Sequence, residues 1–202
     1  MSKEIRAFNF EIRANEEKEG RIEGRAIVYD QRTNMGWYDE IIESGALEGA
    51  DLKDVRMLVN HNTDMIPLAR SRNNNKNSTM QLTVDDDGLF IRADLDIENN
   101  ADARSLYSAV GRGDVSGMSF MFTVDGDKWD DQDSEHPTRT ITRFSKIFEV
   151  SAVTWPAYEQ TSISTRGLAD ALDSAKASLE SARAERRAIE ARKQKIKILT
   201  EM

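Results

Sequence analysis

Residues 78–97 read STMQLTVDDDGLFIRADLDI, and their alternation decides the class of fold. Met80, Leu82 and Val84 run at every second position into Asp-Asp-Gly. Leu89, Ile91, Ala93 and Leu95 then run out of it at the same period. Two half-buried strands joined by a tight turn are the expected outcome. The pattern recurs along the chain: Phe8, Phe10 and Ile12 alternate, as do Ile22, Ala26 and Val28 around Gly24, and DVRMLVN (Asp54 to Asn60) is a short apolar run. GDVSGMSFMFTV continues as a strand from Gly113. Thr140 to Ser145 and Ile147 to Trp155 read as two more, the last ended by Pro156. Between them, Asp125 to Arg139 is strongly polar and reads as a long loop. One helix interrupts the strands, with Ala103, Leu106, Tyr107 and Val110 on one face, Asn100 or Asp102 as cap and Gly111 at its end. The expectation is a mainly β domain with a barrel-like arrangement of strands.

Beyond Arg166 the character changes. Leu168, Leu172, Ala175, Leu179, Ala182, Ile189 and Ile196 follow a 4-3 spacing, with Arg186 and Lys193 at the remaining seam positions. Such a pattern fits a coiled coil with a weak, partly basic seam, or a solvated helix that orders on a partner. The division expected is 1–166 for the β domain and 167–202 for a charged helical tail. Gly167 to Met202 holds eight Lys/Arg and six Asp/Glu, a net +2, which leaves −10 on the first 166 residues out of −8 in all. An acidic body speaks against nucleic acid as the main partner, since phosphate binding needs clustered positive charge. No apolar run approaches a membrane span and the start of the chain lacks an apolar signal segment, so neither a membrane nor an export route is expected.

The sequence contains no cysteine and two histidines, His61 and His136. Thiolate nucleophiles, disulfides and thiolate metal sites are thereby excluded, and isolated histidines make zinc an unexpected ligand. His136 lies in the polar stretch DSEHPT and reads as exposed. His61 closes the run MLVN, where a histidine stands half in the core and half at a mouth, as a general base would. Two serines sit in GDVSGMSFMF. In a strand, Ser116 shares a face with Met118, Phe120 and Phe122, whereas Ser119 lies on the less crowded face beside Gly117 and Met121. A nucleophile has to be reachable, so alternation favours Ser119. Glu149, in IFEVSAVTWP, is a carboxylate inside an apolar strand. It reads either as an outward-facing group on a one-sided sheet or as the acid that orients a histidine.

Taken in order, ESGAL, LVNHNTD, DDDGLFIRADL, VGRGDVSGMSFMF and FEVSAVTWPAYEQTSI resemble the tailed-phage prohead (capsid maturation) serine proteases, over roughly Phe8 to Arg166. The resemblance implies an assemblin-like closed β-barrel bordered by helices, as in herpesvirus maturation proteases. It implies a serine endopeptidase with catalytic residues His61, Ser119 and Glu149, with Asp64 as the alternative acid. Arg143 or Arg166 are implied as candidates to join backbone amides at the oxyanion. No cofactor and no metal are needed for such a reaction. The implied substrates are the major capsid protein and scaffold segments, cleaved inside the procapsid in the host cytoplasm. Self-association and self-cleavage also accompany the resemblance, and the tail becomes a targeting or scaffold-like segment. The rival reading is a non-enzymatic scaffold or assembly protein that retains the protease fold.

Overall fold

A computed structural model describes residues 3–8, 12–154 and 165–200, with side chains in the last segment described from 172 onward. Among the described residues, eleven strands and two helices follow in chain order. The strands are β1 (Glu4–Phe8), β2 (Ile12–Ala14), β3 (Arg21–Val28), β4 (Thr33–Asn34), β5 (Asp39–Ile42), β6 (Asp54–Val59), β7 (Ala69–Arg72), β8 (Met80–Asp85), β9 (Gly88–Asp94), β10 (Gly117–Asp130) and β11 (Thr138–Val153). The helices are α1 (Ala101–Arg112) and α2 (Thr165–Thr200). Among the described residues the strands form two sheets. One has seven strands in the order β1-β10-β11-β5-β4, with β6 and β7 branching from β11; the other has four in the order β2-β3-β9-β8. Phe120, Phe122 and Phe144 from the larger sheet meet Ile22, Leu89 and Ile91 from the smaller one and Leu106 and Val110 from α1 in a single core.

The hairpin expected at 78–97 forms as β8 and β9, with Asp85 opposite Gly88 and Met80, Leu82, Leu89, Ile91 and Ala93 buried. Gly88 is required there. Its φ is +134°, and a β-carbon would lie 2.0 Å from the Ile27 carbonyl oxygen of the neighbouring strand. The helix starts where Asn100 Oδ1 accepts from the backbone N–H groups of Asp102 and Ala103. It ends at Gly113 with φ +78°, leaving Gly111 within the last turn.

Four expectations change. The barrel does not close, because the seven-stranded sheet ends at β1, β4 and β7 and the four-stranded sheet at β2 and β8. At the nearest seam, side chains stand in for a ladder. The N–H groups of Arg70 and Arg72 donate to the hydroxyls of Thr79 and Ser78, and the Leu82 N–H donates to Asn74 Oδ1, so β7 and β8 touch without pairing. Second, the polar stretch 125–139 is mostly ladder, with Asp127 opposite Ile141 and Trp129 opposite Arg139. Its charges hid the strand because one of them, Arg139, is buried by carboxylates rather than exposed. Third, 140–145 and 147–153 are one bulged strand rather than two. Fourth, the alternation of Phe8 and Ile12 spans two strands in different sheets, with Phe10 outside the described residues, as are Trp155 and Pro156.

An ion network fixes the edge strand β1. Arg6 pairs with Glu40 and with Glu4 (2.7 Å), and Arg139 reaches Glu4 at 2.8 Å and Glu40 at 3.2 Å, all four side chains at most 2% exposed. Tyr38 Oη accepts from Arg6 at 3.3 Å. Two hydroxyls of α2 close the arrangement: Ser174 donates to Glu4 Oε1 (3.0 Å) and Ser178 to Asp127 Oδ2 (2.7 Å), while Trp129 Nε1 donates to Ser178 (3.0 Å). Ala175 and Leu179 pack on Tyr38 and Trp129 in a second small core. The first half of the helical stripe therefore covers the chain's own β-sheet. Arg183 donates to the Gln132 carbonyl and Arg186 pairs with Asp133 (2.6 Å); after Arg186 every described residue is exposed, Ile189 and Ile196 included.

Two outcomes follow from these contacts. Gly88→Ala should cost more than about 2 kcal/mol. Gly49→Ala, at a left-handed glycine with nothing within 4 Å, should cost about 1 kcal/mol. Urea unfolding that ranks the two alike would refute the close approach at Gly88. Acid should also loosen the fold. Burial raises the Glu4 carboxyl, but the charge of Arg6 and the hydrogen bonds from Arg139 outweigh it and hold Glu4 below its ordinary 4.5. A carboxyl depressed on folding contributes stability above its ordinary value, and that share is lost as pH falls through the folded one. The melting temperature should therefore drop below about pH 4.5, and Glu4→Gln should drop less steeply over that range. Parallel slopes would show that Glu4 takes no part.

Candidate active site

Three elements converge on the larger sheet. β10 and β11 run antiparallel with Ser119 opposite Ser151, Phe120 opposite Val150 and Met121 opposite Glu149. Ser119 and Glu149 are thus diagonal neighbours, roughly 7–8 Å apart on one face of an antiparallel pair. One imidazole with a hydrogen bond at each nitrogen spans such a gap. β6 supplies it: this strand lies parallel to β11, with Val59 beside Ala152, and the chain then reverses through two left-handed residues, Asn60 (φ +50°) and His61 (φ +57°).

The resulting contacts form an unbroken chain. Ser119 Oγ lies 2.5 Å from His61 Nε2, and His61 Nδ1 lies 2.6 Å from Glu149 Oε1. With Nδ1 protonated and donating to the carboxylate, Nε2 is left as the acceptor facing the serine. Ser119 Oγ also lies 2.7 Å from the Arg6 carbonyl oxygen on β1, so its one proton has two acceptors within reach. The site is closed to solvent: Ser119 is 0% exposed, and the side chains of His61 and Glu149 are 6% and 4% exposed.

A β-bulge makes Glu149 available. The pairing slips between Phe122↔Ile147 and Met121↔Glu149, leaving Phe148 as the extra residue. In a regular strand Ile147 and Glu149 would share a face. With the bulge, Ile147 enters the core beside Phe122 while Glu149 turns to the face of Ser119.

The other candidates lie elsewhere. Ser116 is exposed and precedes β10, so it neither joins His61 nor enters the core with Met118 as alternation implied. The strand starts one residue after it, and its carbonyl accepts from the Ile12 N–H at 3.4 Å. Asp64 is exposed in the turn after His61, its N–H donating to Asn62 Oδ1. His136 is exposed and pairs with Asp39 at 2.9 Å. Arg143 pairs with Asp125 and stands opposite Gly126, seven residues along β10 from Ser119, or about 20 Å away. That distance removes it from any oxyanion site. The Arg166 side chain lies outside the described residues. Among the described residues no group of three or more metal-ligating side chains gathers.

Two groups at the site escaped the sequence reading. The Arg6 carbonyl is main chain and leaves no signal in residue type. Ser151 is two residues from Glu149 on the same strand face, and period-two alternation from Glu149 points to it. The sequence model of the family described as Caudovirus prohead serine protease matches residues 8–174, a span that takes in β10, β11 and the His61 turn. No curated protein and no solved structure matches the chain.

Proposed function

The chain belongs to the caudovirus prohead serine protease family, the enzymes of capsid maturation, and on that premise we propose that Ser119, His61 and Glu149 form the catalytic triad of an endopeptidase. Its substrates are the major capsid protein and scaffold segments, cut inside the procapsid in the host cytoplasm. The observation that carries this reading is the hydrogen-bond chain from Ser119 Oγ through both imidazole nitrogens to Glu149.

In the proposed reaction the Ser119 oxygen adds to the scissile carbonyl carbon while its proton passes to His61 Nε2. Glu149 holds Nδ1–H and stabilises the imidazolium. The tetrahedral intermediate then expels the amine, which takes the proton from Nε2, and an acyl-Ser119 ester remains. Water, deprotonated by His61, adds to that ester; the C–Oγ bond breaks, the serine regains its proton and the new carboxyl terminus departs. The first step requires the serine hydroxyl to turn from the Arg6 carbonyl to Nε2. Because Ser119 has no open surface, a substrate must also displace the chain that covers it. That burial is the observation favouring the rival reading, an assembly protein with the fold but without turnover. Against it stands the retention of all three side chains in contact.

The distal tail extends the proposal. The described residues beyond Arg186 are exposed and make no contact that the acyl transfer needs, so this segment serves incorporation into the shell. Truncation should be made after Arg186, because Ser174, Ala175, Ser178 and Leu179 belong to the folded body. A chain lacking residues 187–202 should cleave free coat protein as the full chain does and fail to enter procapsids. Normal incorporation would sink that role. For the chemistry, Ser119→Ala and His61→Ala should each lower coat cleavage at least about a thousandfold, whereas Ser116→Ala should stay within about twofold of the parent, since Ser116 touches neither partner. Coat cleavage that survives Ser119→Ala rejects the triad.

A further inference from the structure

We propose that Ser151 is a positioning residue of this site, a fourth member that holds the acid and the base in register; the inference rests on the triad reading above. Ser151 is fully buried, directly opposite Ser119 in the β10–β11 ladder. Its hydroxyl donates to Glu149 Oε2 at 2.6 Å and accepts from the His61 backbone N–H at 3.1 Å. Both bonds fall on the atoms that matter. Glu149 uses Oε1 for the imidazole, so Oε2 needs a second donor to keep the carboxylate plane fixed and its buried charge satisfied. A carboxylate with one oxygen free to swing would lose its hold on Nδ1.

The second bond acts on the backbone of the base. Asn60 and His61 are consecutive non-glycine residues in the left-handed region, each costing about 1–2 kcal/mol. A turn of that kind persists only where its surroundings fix it. β11 and the residue that follows it do so at three points. The Asn60 N–H donates to the Ala152 carbonyl (3.0 Å), Thr154 N–H donates to Asn60 Oδ1 (3.1 Å), and Ser151 takes the His61 N–H. Of the three, only Ser151 also touches the acid. It therefore couples the carboxylate's orientation to the turn that aims the imidazole, with no contact to Ser119's reacting oxygen.

The test uses the full-length protein with purified major capsid protein of the same virus, and four chains: parent, Ser151→Ala, Ser151→Cys and Ser119→Ala. In Ser151→Ala, kcat should fall about 10- to 100-fold, the weight of one hydrogen bond to a charged group, with KM within about twofold. The downfield proton resonance of His61 Nδ1–H, read by NMR without substrate, should shift upfield or broaden away, while the melting temperature stays within about 5 °C of the parent. Ser151→Cys keeps the volume with a poor donor and should behave the same, which covers a failure of the alanine variant to fold. The proposal is overturned if either folded variant keeps kcat within twofold or leaves the resonance unmoved. It is overturned equally if both variants unfold, since Ser151 would then be a packing residue. Should Ser119→Ala cleave like the parent, the triad reading fails instead, and the resonance alone decides whether Ser151 orders the Glu149–His61 pair.

Discussion

The ladder between β10 and β11 is the constraint on which the rest of the structure depends. Its register sets Ser119 against Ser151 and Met121 against Glu149, so the Ser119 hydroxyl, the Glu149 carboxylate and the Ser151 hydroxyl bound to it share one sheet face. The opposite face of the same two strands carries Phe120, Phe122, Val150 and Ala152 into the core. Since side chains alternate, a slip of one residue would exchange the two sets. Burial of those apolar side chains is worth about 1.5–3 kcal/mol for each large one, and that sum holds the register. The geometry of the candidate site is thus fixed by packing on the opposite side of the sheet.

A second layer of order comes from charge. β1 lies at the edge of the sheet and carries Glu4 and Arg6, which would ordinarily be exposed. They are buried instead against Glu40 and Arg139, with hydroxyls from α2 filling remaining hydrogen-bond positions. Taking ions out of water is costly, and such groups repay the cost only when paired and fully hydrogen-bonded. The network ties four distant segments together: the amino-terminal strand, β5, β11 and the carboxy-terminal helix. It also fixes the main chain of Arg6, whose carbonyl shares the serine proton with His61. The strand that covers Ser119 is therefore anchored from its side chains, on the far side from the imidazole.

Much of this was legible in the residues, and what was not has identifiable physical reasons. Alternation in 78–97 located β8 and β9, and helical spacing located α1, because both bury one face of a regular element. Alternation likewise separated Ser119 from Ser116, although it started the strand four residues too early, at Gly113 rather than Gly117. His61 and Glu149 drew attention as a base at a strand end and a carboxylate in an apolar run. Their meeting was not legible, because it depends on a left-handed turn at 60–61 and on a bulge at Phe148, neither of which has a period. The ribbon of Gly126 to Asp130 reads as loop because its charges are at least partly exposed around the buried Trp129, and because Arg139 opposite Trp129 is buried by carboxylates far away in sequence. Closure of the barrel was expected from family likeness alone, and the hydroxyls of Ser78 and Thr79 that occupy the β7 amides interrupt it.

The bulge at Phe148 gives this stretch an unusual relation to changes of chain length. Substitution of the bulged side chain leaves the residue count between Ile147 and Glu149 unaltered, so the carboxylate still faces the imidazole. Taking Phe148 into the ladder would be of another kind. With Ile147 kept opposite Phe122, regular pairing would set Phe148 against Met121 and Glu149 against Phe120, turning the carboxylate to the core face. A carboxylate rotated inward would meet Phe120, Phe122 and Phe144, an apolar surrounding that disfavours its charge. Loss of Phe148, by contrast, would keep the phase, since Ile147 and Glu149 would become consecutive residues on opposite faces: at this place the chain tolerates a shorter strand but not a straighter one.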